Sequence, residues 1–188
     1  MRKTEICLLM LLISLPQVRF SAAQPETEDN ARRAAELYSA GYLLAELGRY
    51  QEALRLFDRS LEIQPTPEAY TYKGWTYSHM GDYQRSIEEA QKAIRLDPDF
   101  GNPYNDIAVY LIELGREEEA IPYLKKAMQA KKYCCYQFPH FNLGRIYLKK
   151  KMYEQARKEF KKALEIDPDY EPALQGLEVL QQMGMKET

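Results

Sequence analysis

The side chains best suited to chemistry in this sequence are an adjacent pair of cysteines and two separate histidines. Cys134 and Cys135 are neighbours, whereas His79 and His140 lie far apart along the chain. Zinc and haem sites need cysteines and histidines at short fixed spacings, such as Cys-x-x-Cys-His for haem attachment, and no such spacing is present. The sequence therefore predicts no metal and no cofactor.

Motifs for catalysis are also missing from the sequence. It contains no Gly-x-Ser-x-Gly elbow, no glycine-rich phosphate loop and no His-Glu-x-x-His helix, so an enzyme is not expected. The pair Cys134 and Cys135 leaves three interpretations open: two small apolar side chains, a redox-sensitive disulfide ring, or a disulfide to another chain. Because adjacent Cα atoms are about 3.8 Å apart and disulfides usually span ~4.4 to 6.8 Å, such a ring would be strained.

The composition is that of an ordinary soluble domain. The chain has 188 residues, 45% of them hydrophobic, and its 26 basic and 28 acidic residues leave a net charge of −2. This near balance argues against nucleic-acid binding through bulk attraction to phosphate. Lysines are dense between residues 116 and 162; a solvated outer surface is the first interpretation, and contact with an anionic membrane is a secondary one.

The amino terminus has the three-part layout of a secretory signal peptide. Arg2 and Lys3 precede an apolar run over residues 6–15, and small residues follow at Ser21 and Ala23. The sequence thus predicts a signal peptide over 1–23, a flexible lead-in over 24–33, and export to the periplasm or the outside. An uncleaved membrane anchor is the alternative.

A repeat of about 34 residues organises the rest of the chain. Small residues recur at intervals of 33, 34 and 36, and prolines recur at intervals of 33 and 70. Within each period, apolar residues fall three and four apart in two runs, which is typical of two amphipathic helices. The small residues are Gly41, Gly74, Ala108 and Gly144, and the prolines are Pro65, Pro98 and Pro168.

These spacings resemble those of the tetratricopeptide repeat family, with an aromatic residue, Leu-Gly, Tyr, Ala, Phe and a closing Pro at fixed offsets. The fourth unit matches with His140, Leu143-Gly144, Tyr147, Ala156, Phe160 and Pro168. The resemblance implies an all-α fold, a right-handed superhelix of four helical hairpins with a C-terminal capping helix. The units are 34–66, 67–100, 101–136 and 137–170, and the cap and tail are 171–188.

Two sequence features refine this picture of the repeats. Gly48, Gly81 and Gly115 stand where a residue able to adopt positive φ ends the first helix of a hairpin. The third unit departs from the pattern, because it lacks the closing proline and has two extra residues around Cys134 and Cys135.

The resemblance also implies that the first helices line a concave groove that binds extended peptides or partner helices. Trp75 is the strongest candidate for an exposed anchor in this groove. Glu68 stands where the clamp of chaperone-binding members needs a basic residue, so an acidic carboxyl-terminal peptide is not expected. The predicted groove residues are Tyr38, Tyr42, Glu46, Thr71, Trp75, His79, Asn105, Val109, Phe141, Arg145 and Leu148.

The function predicted from these features is that of a protein-interaction scaffold or adaptor of a bacterial cell envelope. Its partner is expected to be a protein or peptide segment held in an aromatic-lined groove. The alternative is a structural or assembly factor that forms homo-oligomers by end stacking or through the cysteine pair.

Overall fold

The computed structural model describes residues 25–184. In this range the chain forms nine α-helices, and the only β-type pairing there is an isolated bridge between Phe100 and Lys132. The predicted all-α repeat fold is confirmed. The helices are α1 (Pro25–Glu46), α2 (Tyr50–Ile63), α3 (Pro67–His79), α4 (Tyr83–Leu96), α5 (Asn102–Glu113), α6 (Glu117–Ala127), α7 (Gln137–Lys149), α8 (Tyr153–Ile166) and α9 (Glu171–Gln182).

The helices form antiparallel hairpins that stack in chain order. Helix α1 pairs with α2, α3 with α4, α5 with α6 and α7 with α8, while α9 packs against α8 and α7. Each odd-numbered helix also packs against the next odd-numbered one, whereas among the described helices the even-numbered ones do not touch each other. The stack therefore curves toward the odd-numbered helices, which form its inner, concave layer.

The turn inside each hairpin uses a residue with positive φ. Gly48, Gly81 and Gly115 have φ angles of 74°, 78° and 72°, as the sequence predicts for residues that end the first helix. The fourth turn places Lys151 in the same role with a φ of 61°. A side chain in this region is strained, so the fourth turn is closed less favourably than the other three.

Small residues allow the two helices of a hairpin to approach closely. A Cβ atom added to Gly144 would lie 2.5 Å from the ring of Phe160, and one added to Gly41 would lie 3.0 Å from the ring of Phe57. Both rings are fully buried, so the large side chain of one helix fills the space left by glycine on the other. Three alanines that the repeat pattern places at close contacts are also fully buried: Ala53, Ala120 and Ala156.

Residues 128–136, which we call the connector, join α6 to α7 where the repeat pattern is interrupted. The backbone of Lys132 donates to the carbonyl of Asp99 at 2.9 Å and accepts from the amide of Gly101 at 3.0 Å. The next residue, Tyr133, is buried and lies directly against Gly101, where a Cβ atom would collide with it. The connector is thus anchored to the link between α4 and α5, which leads into its own unit.

The structure corrects the predicted boundary at the amino end of the array. Residues 25–33, which the sequence predicts as part of a flexible lead-in, belong to α1. Arg32 forms ion pairs with Asp29 and Glu36, three and four residues away. Pairs at these spacings stabilise a helix, so the charged composition that suggested a lead-in favours helix instead. The predicted signal peptide over 1–23 lies outside the described residues.

Two buried carboxylates occupy equivalent places in the second and fourth units. Glu89 pairs with Lys92 at 2.8 Å, and Glu159 contacts the Nδ1 atom of His140 at 2.6 Å and the Nζ atom of Lys162 at 2.8 Å. Burial raises the pKa of Glu159, but the hydrogen bonds from His140 and Lys162 outweigh it and hold the pKa below its usual value. This carboxylate therefore favours the fold above its ordinary pKa, and that contribution is lost in acid.

Candidate functional site

The candidate site is the concave face of the odd-numbered helices. All the groove residues predicted from the sequence lie on these helices. Helix α1 carries Tyr38, Tyr42 and Glu46; α3 carries Thr71, Trp75 and His79; α5 carries Asn105 and Val109; and α7 carries Phe141, Arg145 and Leu148.

Five rings form a continuous cluster between the first two units, which we call the aromatic cluster. The ring of Tyr42 lies 4.9 Å from that of Tyr72 and 5.9 Å from that of Trp75, measured between centroids. The cluster continues to Tyr38, stacked 6.1 Å from Tyr72, and to His79, 4.0 Å from Trp75. His79 is exposed and the other four are half-buried, so each keeps some accessible surface.

The contacts between units follow a simple offset. Tyr38 is the fifth residue of the first unit and Tyr72 the sixth of the second, and their rings stack. Asn105 and Asn142 hold the same two positions in the third and fourth units, and the side-chain amide of Asn142 donates to the oxygen of Asn105 at 3.1 Å. A single geometric position is therefore filled by rings at one junction and by amides at the other.

The junction between the third and fourth units is polar. The two asparagines there are buried and bonded to each other, and Arg145 lies 3.4 Å from the oxygen of Asn142. Arg145 also pairs with Glu113 at 3.5 Å, and its guanidinium lies 5.9 Å from the centre of the Phe141 ring. We call this set the polar junction; its members satisfy one another and leave fewer groups free for a ligand.

Asp106 lies on α5, the helix between the aromatic cluster and the polar junction. Burial raises its pKa to about 7, and a hydrogen bond from Asn105 offsets only part of that effect. The pKa values of Tyr110 and Tyr133 are raised mainly by burial. The charge of Asp106 is the second largest cause for both. The Asp106 carboxyl group therefore changes charge near neutral pH.

Two of the predicted groove residues are buried instead of exposed. Thr71 is 7% exposed and its hydroxyl donates to the carbonyl of Pro67 in its own helix at 2.7 Å. Asn105 is 8% exposed and is occupied by Asn142. Thr71 is held by its own helix and Asn105 by the next unit, so neither side chain is available to a partner in this conformation.

Other predicted groove residues divide their surface between the groove and the core. Val109, Phe141 and Leu148 are half-buried and pack on the apolar clusters inside the third and fourth units. Phe141 lies 5.9 Å from Phe160 and 5.4 Å from Tyr170, measured between ring centroids. Glu46 is exposed. That Trp75 anchors a partner stays a prediction.

Sequence reasoning missed two residues of this face, Tyr72 and Asp106. Both occupy the sixth position of a unit, next to the fifth position, where four predicted groove residues stand: Tyr38, Thr71, Asn105 and Phe141. A signal was present in the chain, because every residue at the sixth position can form hydrogen bonds: Ser39, Tyr72, Asp106 and Asn142.

The predicted cysteine site lies on the connector, apart from the aromatic cluster in sequence. Both cysteines are free thiols, Cys134 exposed and Cys135 half-buried, with their Sγ atoms 2.6 Å apart. Burial is the main cause that raises the pKa of Cys135 to about 11, and the hydrogen bond with Cys134 adds to it.

Residues 25–184 hold neither a metal-binding cluster nor a membrane span. No group of three or more His, Cys, Asp or Glu side chains in that range could hold a metal ion. None of the helices formed by these residues is both long and apolar enough to cross a bilayer.

Comparison with known families matches most of residues 25–184 to one kind of repeat. Three family models, each described as tetratricopeptide repeat, match residues 31–99, 71–133 and 138–170. A curated relative is small glutamine-rich tetratricopeptide repeat-containing protein 2 of Mycosarcoma maydis, 27% identical over 106 residues. The match covers 56% of this chain but only 30% of that relative.

Two solved structures of similar fold superimpose on this chain over most of the length of both chains. PilF of Pseudomonas aeruginosa superimposes with a TM-score of 0.70 at 23% identity, over 82% of this chain and 78% of that one. A thermophilic tetratricopeptide repeat protein of Thermus thermophilus gives a TM-score of 0.67 at 25% identity, over 80% of this chain and 83% of that one.

Proposed function

Because this chain belongs to the tetratricopeptide repeat family, we propose that it is an interaction scaffold that holds a segment of a partner protein against its concave face. Proteins of this family generally mediate protein–protein interactions and are generally not enzymes. The partner is a peptide or helix, and the contact surface is centred on the aromatic cluster of the first two units.

The observation that carries this proposal is the half-buried state of four rings in the aromatic cluster. A junction built only for packing would bury its rings, yet Tyr38, Tyr42, Tyr72 and Trp75 each keep accessible surface. Tyrosine and tryptophan anchor many interfaces because they offer large apolar area together with a polar tip.

The charges near the aromatic cluster indicate which side chains the partner segment carries. The carboxylate of Glu46 is the main cause that raises the pKa of Tyr42, so it lies beside that ring. Glu68 acts on Tyr72 in the same direction, after burial and the neighbouring tyrosines. Rings flanked by carboxylates suit a segment with large apolar side chains and a lysine or arginine, which gains both ion pairing and cation–π contact.

Trp75 makes the proposal directly measurable, because it is the single tryptophan of the chain. Peptides selected from a random library on the immobilised protein are expected to change Trp75 fluorescence on titration. Tyr42→Ala should weaken their binding about tenfold or more, as loss of an anchor residue does. Leu96→Ala, at an exposed position on α4 outside the concave layer, is the matched control and should leave the affinity unchanged.

The proposal is overturned if selected peptides bind without changing Trp75 fluorescence and bind Tyr42→Ala as tightly as the original protein. The proposal is also overturned if none of the selected peptides compete with each other, because they would then not share one binding site. Circular dichroism of Tyr42→Ala checks that the helices remain intact.

The proposed setting is the bacterial cell envelope, on the basis of the signal-like residues 1–23. A fusion of residues 1–33 to a reporter enzyme that is active only after export tests this. Activity that disappears when Arg2 and Lys3 are replaced by glutamate supports export, whereas an inactive fusion in all cases rules it out.

A second candidate function, self-association by end stacking, is favoured by the outer side of α9. Leu174 and Val179 on this helix and Met183 just after it are 42%, 42% and 48% exposed. If the units stack end to end, the solution mass should rise with concentration and Leu174→Ser should abolish the rise. A mass of one chain at every concentration would reject this candidate.

A further inference from the structure

The connector is where the chain departs furthest from its own repeat, and the function proposed for the groove does not explain it. Elsewhere in the array, a short link with a proline joins one hairpin to the next, whereas here residues 128–136 replace it. This segment contains both cysteines outside the signal-like residues 1–23.

The two cysteines are held between anchored residues. On one side, Lys132 is tied to the link between α4 and α5 by two backbone hydrogen bonds, and its Nζ atom pairs with Asp97 at 2.6 Å. On the other side, the hydroxyl of Tyr136 donates to the carbonyl of Ala130 at 2.9 Å. Tyr133 and Tyr136 also meet edge to face with centroids 5.3 Å apart, so the backbone on both sides of the pair is fixed.

The sulfur atoms of these two neighbouring residues lie close together. The Sγ atoms of Cys134 and Cys135 are 2.6 Å apart, and a disulfide bond needs about 2.05 Å. Oxidation therefore requires only a small movement of the two side chains. Because neighbouring Cα atoms are closer than in most disulfides, the ring would be strained and readily reduced again.

We propose that Cys134 and Cys135 form a reversible dithiol–disulfide site that exchanges with disulfides of small thiols or of other proteins. The two thiols give up two electrons and two protons, and the incoming disulfide is reduced to two thiols. No other oxidant is needed, and the reverse reaction uses a thiol as reductant. This site does not depend on the groove or on what binds there.

The two cysteines have different roles in the exchange. The thiolate of exposed Cys134 attacks a sulfur of the incoming disulfide, forms a mixed disulfide and releases the first thiol. The thiolate of Cys135 then attacks the Sγ atom of Cys134, closes the ring and releases the second thiol. Burial limits both the access and the thiolate fraction of Cys135, so it suits the second, intramolecular step, in which its neighbour is already in contact.

The test equilibrates the full chain carrying Cys7→Ser, which removes the third cysteine, with mixtures of reduced and oxidised glutathione. After alkylation and trypsin, residues 133–145 are released as one peptide that contains both cysteines. As oxidised glutathione increases, we expect this peptide to lose two hydrogen atoms and to escape alkylation. Returning the protein to reduced glutathione should restore both alkylation sites.

Single variants test the assigned order. Cys135→Ser retains the exposed thiol and should accumulate a glutathione adduct, which has no neighbour to resolve it. Cys134→Ser should form its adduct about tenfold more slowly, since the half-buried thiol reacts less readily. Circular dichroism of both variants controls for loss of fold.

Three results overturn the proposal. They are full alkylation of both cysteines at every glutathione ratio, a stable glutathione adduct on the protein that retains both cysteines, and disulfide-linked dimers in place of the internal ring. Equal adduct rates in the two single variants would overturn the assigned order.

Discussion

The first two units and the last two units close equivalent junctions with different chemistry. Between the first and second units, half-buried rings meet in the aromatic cluster. Between the third and fourth units, the same offset is closed by the buried hydrogen bond from Asn142 to Asn105. Rings and amides can therefore both close this junction, and packing alone does not require the partly accessible rings of the first one. That surplus is what points to a binding role.

The two halves also differ in how closely they follow the repeat. The first half uses short links and glycine in both of its left-handed turns, at positions 48 and 81. The second half contains the connector and places Lys151 in a left-handed turn. The regular half presents the rings, while the irregular half carries the thiols and the self-satisfied polar groups, so the two proposed sites fall on different kinds of backbone.

The largest expected contrast comes from adding one methyl group in each half. Gly101→Ala should destabilise the protein by about 2 to 3 kcal/mol, because the new Cβ meets Tyr133, which the anchored connector cannot move aside. Gly41→Ala should be close to neutral, since the ring of Phe57 needs to shift only slightly and alanine gains about 1 kcal/mol inside a helix.

Urea denaturation measures both variants, and comparison of the slopes verifies that each unfolds in the same manner. Equal losses of stability in Gly101→Ala and Gly41→Ala would mean that the connector is not anchored more firmly than an ordinary hairpin.

A smaller effect is expected at Asp106, where the two halves meet. Because its folded pKa of about 7 lies above the ordinary value, its contribution to stability is complete in acid and is lost as the pH rises through 7. The free energy of unfolding of Asp106→Asn should equal that of the original protein near pH 4. At pH 8 it should be higher by about 1 to 2 kcal/mol, after allowance for partial solvent screening.

Thermal unfolding between pH 4 and pH 8 gives this comparison, with Asp169→Asn at an exposed position as the control. A constant difference between Asp106→Asn and the original protein across that range would show that the carboxyl group stays charged throughout.

The smallest expected effect separates the turns of the two halves. Lys151→Gly should stabilise the fourth unit by about 0.5 to 1 kcal/mol, because glycine adopts positive φ without the steric cost that lysine meets. Gly115→Lys is the reciprocal variant and should cost a similar amount. Denaturation midpoints of both variants provide the test, and a stability loss in Lys151→Gly would contradict it.

The repeat and its turns could be predicted from the sequence because they depend on local spacing. Glycine at positions 48, 81 and 115, with apolar residues three and four apart, was enough to predict four hairpins. The connector's attachment could not be predicted, since the contact of Lys132 with Asp97 joins residues 35 apart with no periodic signal. The role of Tyr72 was missed for a related reason: its ring partners lie on the neighbouring unit, and the offset between units appears only in three dimensions.

The attachment of Lys132 to Asp97 and Asp99 ties the end of the third unit to the link between α4 and α5 that leads into it, which affects how the array opens. Stacked repeats usually fray from their ends, one unit at a time, because each unit depends on its neighbours. A unit whose entry and exit are tied together can separate from α7 and still keep both of its helices. Opening from the carboxyl end should therefore pause at the third unit. Its backbone amides should then exchange hydrogen more slowly than those of the fourth unit and α9.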